Sequence, residues 1–421
     1  MYFENIDYHW NFLKQIPVRG AIFKPSSQNY VSSLRRHKNF DGEILFDPQL
    51  YLLNFPIILN DFSTLLCNLS TYPWFGMEVS EFDDTSCNIR AWTKSILKDI
   101  KNIWNSRNDP LENWKDTVIK CVQYQIEFGC SKIIIPATAI SDPESNLKED
   151  FARLDSAIDI ASSLTKLPLL ASVPFQDTAI RHRDPNDSDL IEAIADGISA
   201  RDNIVGAYVL LSFLNASEER IHNQRIAASL LTLCKALSQN AEMIVIANYL
   251  ESFGLVAQAF GAYGYGSGYR RKSKRFSFND LKDSGGGPAS PKFHSLALTM
   301  DFYPETELER IRDIHLTKYF ADDKTPSSTP LLDQLNSGGP VNAIADWAES
   351  PNNVSAARVH YSELHTKFAS KSWTPEQALD WIQSAETNWL YLRNRFEENP
   401  LESNGSHISP WRSVIESILN H

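Results

Sequence analysis

Three carboxylates in this chain stand directly after apolar runs: Asp47 ends ILF, Glu251 follows VIANYL and Asp301 follows LALTM. Carboxylates gathered at one site push their pKa values apart, so that one serves as acid while another serves as base, nucleophile or cation stabiliser. These three are the candidate catalytic residues. A divalent cation is compatible with them, because hard cations need only oxygen ligands. Each also has a structural reading as a helix cap: Asp47 precedes Pro48, Glu251 precedes Ser252, and Asp301 stands just before a helix expected from Glu305.

A second chemical feature is the stretch Gly261 to Phe278, GAYGYGSGYRRKSKRFSF. Four glycines (Gly261, Gly264, Gly266, Gly268) run into Arg270, Arg271, Lys272, Lys274 and Arg275. Glycine lets backbone N–H groups approach a ligand, and guanidinium forks match phosphate, so the stretch reads as an anion grip. Its spacing matches neither the dinucleotide fingerprint nor the P-loop. Lys24, Gln49, Gln176 and Asn248 are the polar residues expected to share substrate or phosphate binding with Gly266, Gly268, Arg270, Arg271, Lys274 and Arg275. The interleaved Tyr263, Tyr265, Tyr269, Phe276 and Phe278 suit either base stacking or a core.

Other chemistries find little support. The ten histidines include no HxH or HExxH pair, and the five cysteines are widely spaced with no CxxC, so no zinc site is expected. There is no G-x-S-x-G elbow to activate a serine.

The elements that would position these residues come in regular order. Short apolar runs rich in branched and aromatic residues alternate with segments of helical period, the pattern of consecutive βα units around a parallel sheet. Eight runs read as strands: Gly20 to Pro25, Glu43 to Tyr51, Lys132 to Ile140, Pro168 to Phe175, Val205 to Phe213, Met243 to Leu250, Ala262 to Tyr269 and His294 to Tyr303. Eight is the number that closes a (β/α)8 TIM-type barrel, whose reacting groups lie at the carboxyl ends of the strands. Residues 1–320 are therefore expected to form the barrel, with an insertion after the second strand at about 52–110. Residues 321–421 are expected to form a linker and a helical appendage packed on it, with Thr374 and Pro375 starting one of its helices.

Composition limits the partners. Forty basic against fifty-two acidic residues give a net charge of −12, so attraction to a polyanion has to be local. No segment reads as a secretory signal or a membrane span, which points to a cytoplasmic protein with no membrane partner. The expected function is an enzyme, a transferase or hydrolase, acting on a phosphate-bearing nucleotide, nucleic-acid or sugar-phosphate substrate by carboxylate-assisted glycosyl or ribosyl transfer or hydrolysis. The alternative is a noncatalytic barrel that binds nucleic acid or a protein partner through 261–278 and the helical appendage.

Overall fold

The computed structural model describes residues 1–6, 16, 18–27, 40–54, 62–75, 112–140, 143–181, 189–213, 220–282 and 289–420. The helix expected from Ser27 to about His37 lies almost wholly outside these residues, as does most of the insertion at 52–110.

Eight parallel strands form one sheet: β1 (Tyr2–Asn5), β2 (Gly20–Phe23), β3 (Glu43–Phe46), β4 (Ile133–Ile135), β5 (Leu169–Gln176), β6 (Gly206–Ser212), β7 (Ile244–Asn248) and β8 (Gly264–Ser267). Their order is β3-β2-β1-β8-β7-β6-β5-β4, which is chain order wrapped on itself. The seam between β3 and β4 is drawn together by Ser131, whose N–H and hydroxyl each donate to the Ile44 carbonyl at 2.9 Å, and by an ion pair between Lys132 and Glu43. The result is a nearly closed (β/α)8 barrel.

Two of the expected strands need correction. The run read as the first strand is β2; the first barrel strand is Tyr2–Asn5, and β1 joins β2 to β8. The run His294 to Tyr303 is not a barrel strand but a small antiparallel hairpin of β9 (Phe293–Ser295) and β10 (Met300–Phe302). The run Ala262 to Tyr269, seventh in the expected order, therefore holds the eighth strand, Gly264–Ser267.

The physical reason lies in how β1 is satisfied. Its Glu4 is buried and accepts hydrogen bonds from the Tyr2 hydroxyl (2.6 Å) and from Ser362, 358 residues away (2.8 Å). A four-residue strand with two polar members completed by distant partners carries no readable alternation. In the hairpin, Thr299 adopts φ 55°, a turn conformation that breaks what otherwise reads as one apolar run.

Among the described residues, the α-helices of seven or more residues are α1 (Ser63–Ser70), α2 (Trp114–Phe128), α3 (Pro143–Leu164), α4 (Asp189–Ser199), α5 (Gln224–Lys235), α6 (Phe253–Ala259), α7 (Thr329–Asn336), α8 (Ser355–Ala369), α9 (Pro375–Arg395) and α10 (Ile408–Leu419). Gly129 ends α2 in the left-handed conformation, φ 79°, as expected of a glycine C-cap. Thr374 and Gln377 form a capping box at the start of α9.

Alternation along the strands divides two cores. Ile133, Ile135, Leu169, Ala171, Val209 and Val245 pack among the surrounding helices. Phe3, Ile22, Leu45, Ile134, Leu170, Tyr208 and Ile246 belong to the other cluster, which fills the barrel. Helix α8 covers β8 and β1: the Tyr265 hydroxyl meets His365 Nδ1 at 2.8 Å, and Ser267 Oγ meets the Tyr361 hydroxyl at 2.7 Å. The segment beyond 320 thus supplies a helix that packs directly on the sheet.

The glycines of β8 have a packing role. A Cβ at Gly264 would lie 2.7 Å from the Phe3 ring, and one at Gly266 would lie 2.1 Å from Asn248 Oδ1. Gly266→Ala is expected to destabilise the fold by about 1–3 kcal/mol through overpacking. Urea denaturation followed by circular dichroism checks this, and an unchanged midpoint would contradict it.

Candidate active site

The carboxyl ends of the strands carry two polar centres. The first lies at the barrel mouth. Asp47 leaves β3 on the same side as Leu45, two positions on, and is 1% exposed. Its Oδ2 accepts from the Tyr51 hydroxyl (2.7 Å) and the Tyr208 hydroxyl (3.0 Å), and its Oδ1 from the Gln49 N–H (3.0 Å). The last contact is an Asx turn, so Asp47 organises its own loop as well as facing the barrel. Burial pushes its carboxyl up to about 6, against the opposing effects of these hydrogen bonds and the charge of Lys24.

The network extends across the mouth. Asn248 donates to the Tyr208 hydroxyl at 2.5 Å and accepts from Asn5 at 2.8 Å, and Asn5 also donates to the Ser273 carbonyl at 2.9 Å. Lys24 donates to the Tyr249 hydroxyl at 3.1 Å, and Gln49 Oε1 accepts from the Ser26 N–H at 2.9 Å. Within the same end of the barrel, Asn5 Oδ1, Ser26 Oγ, Ser212 Oγ and Ser277 Oγ are buried and have no hydrogen-bond partner among the described residues. Buried polar atoms are normally satisfied, so this concentration suits a polar ligand.

Phe276 covers the mouth. Its ring packs on Tyr51 (5.2 Å between centroids) and Tyr249 (5.4 Å), and its carbonyl accepts from the Phe213 N–H at 2.9 Å, pinning the strap after β8 to the end of β6. Phe278 continues this cover against Phe62 at 4.6 Å.

The second centre holds the other two carboxylates. Arg220 grips Glu251 with two nitrogens (2.7 and 3.0 Å), and Lys274 contacts Glu251 at 3.2 Å and Asp301 at 2.5 Å. Arg220 reaches Asp301 at 3.4 Å. Burial alone would raise both carboxyls, but Lys274, the His294 hydrogen bond and Arg220 hold Asp301 well below the usual carboxylate range, and Arg220 and Lys274 hold Glu251 below it. Sequence reasoning is thus right that Glu251 and Asp301 meet; Asp47 is bound into the first network instead. Neither Glu251 nor Asp301 is a helix N-cap: Ser252 holds that position for α6 and Tyr303 for the helical turn Pro304–Leu308, each without a side-chain cap bond.

Glu251, His294 and Asp301 each offer a ligand atom within 4.8 Å of the others. The Lys274 ammonium, in contact with both carboxylates, already supplies the positive charge that a metal ion would bring. Ser252, His294 and Asp301 also form a hydrogen-bonded line (3.2 and 2.8 Å). Ser252 and His294 are both 0% exposed, and His365 Nε2 shares the same face of His294 at 3.2 Å, so this serine is not presented to a substrate.

The remaining predicted residues fall as follows. Arg275 is buried and pairs with Asp280, and Arg271 reaches the same carboxylate at 3.5 Å. Lys274 belongs to the second centre, so at least three of the five cations of the basic stretch are engaged by carboxylates of the chain. Arg270 is half-buried just before the helical turn Arg271–Lys274. Gln176 ends β5 and is half-buried; Gly268 packs against Ser273 and Asn5. Sequence reasoning missed Asn5, Tyr51, Tyr208, Tyr249, Arg220 and His294. Only Tyr208 carries a signal, an inward polar group in an apolar strand.

Backbone strain gathers here: Gln49 (φ 55°), Tyr249 (φ 64°) and Glu251 (φ 48°) are left-handed without being glycine. Such conformations persist where the surroundings over-determine them, often at functional sites.

Four buried histidines surround the second centre. Burial pulls His360 down to about 3, His365 and His407 well below the usual 6.5, and His294 below it. As pH falls through about 6.5 the unfolded chain protonates all four before the folded chain does, so they remove stability. Asp47 and Asp323, raised to about 6 and about 7, act in the opposite sense by protonating first in the folded state. The four lowered imidazoles are expected to outweigh the raised carboxyls, so that stability falls as pH drops from 7 toward 5. Denaturant midpoints from pH 7 to 4.5 check this; a flat profile would contradict it.

No protein-family model, no curated protein and no solved structure matches this chain.

Proposed function

We propose that this barrel is an enzyme acting on a phosphate-bearing substrate by carboxylate-assisted glycosyl or ribosyl transfer or hydrolysis, with Asp47 as the proton-carrying group. The observation that carries this reading is the contrast among the carboxylates. Burial pushes the Asp47 carboxyl up to about 6, whereas Arg220 and Lys274, in contact with Glu251 and Asp301, hold those two below the usual carboxylate range. Carboxyl groups pushed to opposite sides of their ordinary range divide the roles of acid and charge stabiliser.

In the step this supports, protonated Asp47 passes its proton to the leaving group as the bond to the sugar carbon breaks. Water attacks that carbon and returns a proton to the carboxylate. Glu251 and Asp301 offer negative charge toward the developing oxocarbenium ion, and Lys24 offers a cation to the phosphate. Entry to Asp47 requires the strap carrying Phe276 to lift.

The test is release of free base from nucleoside 5′-monophosphates and of p-nitrophenol from p-nitrophenyl glycosides. Turnover of one of these, lost in both Asp47→Asn and Glu251→Gln, supports the reading. Full activity in both variants would remove it. The alternative as a nucleic-acid-binding barrel has less support, because Arg271, Lys274 and Arg275 are already engaged by Asp280, Glu251 and Asp301.

A further inference from the structure

Beside the second centre lies a polar cavity of about 370 Å³, within the lower part of the range of small-molecule pockets, roughly 300–1,000 Å³. Its walls come from three separated parts of the chain: Arg220 before α5, Asp301 and Tyr303 at the hairpin, and the 402–406 segment before α10. Asp301 is both wall and member of the ion cluster, so a ligand here would sit against one of the proposed charge stabilisers.

The charge balance indicates the kind of ligand. Arg220 is taken up by Glu251 and Lys274 by Asp301, while Lys292 and Glu402 contribute one charge of each sign. The cavity and its ion cluster are therefore neutral as a set, which gives a free phosphate no net attraction. What the walls do carry is both donors and acceptors: Lys292 over the Tyr303 ring at 4.6 Å, the Asn404 amide, whose Oδ1 accepts from the Ser406 N–H at 2.9 Å, the Ser406 hydroxyl 3.4 Å from His222 Nδ1, and the carboxylates of Asp301 and Glu402. Paired donors and acceptors in a neutral polar pocket match a ring bearing several hydroxyl groups, each of which both donates and accepts.

We infer that this cavity is a subsite for a monosaccharide ring, held by its hydroxyl groups between Arg220, Lys292 and Asp301 on one side and the Asn404 and Ser406 segment on the other. The inference rests on the glycosyl or ribosyl reading above and gives the substrate a second ring position, outside the Asp47 network, for a sugar next to the one that is cleaved.

The test is saturation-transfer NMR with D-ribose and D-glucose, measured on the wild type without turnover. Transfer to the ring protons of at least one sugar is expected, undiminished by inorganic phosphate. Ser406→Trp, which fills the cavity from an exposed position, is expected to abolish it. Asn404→Ala, which removes one hydrogen-bonding group, is expected to weaken binding by roughly 3–10-fold. No transfer to either sugar, transfer unchanged in both variants, or displacement of the sugar by phosphate would each overturn the subsite. Those outcomes are separable from failure of the enzyme reading: loss of ring binding with turnover intact sinks the subsite alone, and ring binding without any turnover sinks the enzyme alone.

Discussion

Asp47→Asn is expected to lower turnover by roughly 10²–10⁴-fold, the usual contribution of a positioned acid or base, while leaving the barrel folded. The amide is the same size and can keep the Asx turn to the Gln49 N–H. It cannot exchange a proton, and its NH₂ cannot accept from both Tyr51 and Tyr208 as Oδ2 does. A pH–rate profile separates catalysis from packing. The wild type should lose activity as pH rises through about 6, because Asp47 acts in its protonated form. The residual activity of the variant should lack that limb. Equal turnover in the two proteins, or the same limb in both, would count against the assignment.

The second large effect concerns the ion cluster. Lys274→Met removes the ammonium that touches both Glu251 and Asp301, leaving the buried Glu251 and the half-buried Asp301 with Arg220 as the remaining cation in contact among the described residues. Breaking a buried ion pair from one side costs about 3–5 kcal/mol, because the abandoned charge stays out of water. Denaturation is expected to show a loss of that size. Adding Glu251→Gln to Lys274→Met should restore much of it, since one carboxylate and one guanidinium then remain matched. A loss below about 1 kcal/mol in the single variant, typical of an exposed pair, would mean that the cluster is solvated. Lys274 lies in the strap whose Phe276 covers the mouth, so the same variant should also raise the protease sensitivity of 270–278.

What the sequence reveals of this architecture depends on how local the determining contacts are. Seven barrel strands are readable because each is a short apolar run between helical segments. Tyr2–Asn5 is not, because Glu4 and Asn5 are polar residues whose partners, Ser362, Asn248 and the Ser273 carbonyl, stand hundreds of positions away. Apolar content alone makes Phe293 to Phe302 look like a strand, and only the left-handed Thr299 turns it into a hairpin.

The candidate site follows the same division. Asp47, Glu251 and Asp301 can be found because strand ends in this fold carry function, and Glu251 and Asp301 do meet. Their electrostatics cannot be read, because Arg220 enters from another loop with no motif around it. The basic stretch shows the opposite failure: its composition suggests an external anion, yet Lys274 and Arg275 find their anions inside the chain. Its glycines serve the barrel interior at Gly264 and Gly266, where a Cβ has no room.

The most direct measurement of the central claim is the titration of Asp47 itself, by carbon-13 NMR of selectively labelled aspartate assigned through Asp47→Asn. The account predicts a midpoint near 6, raised by burial despite three hydrogen bonds and Lys24. A midpoint at or below the ordinary 3.8 would make Asp47 a fixed anion of the barrel mouth and would contradict its role as the proton carrier.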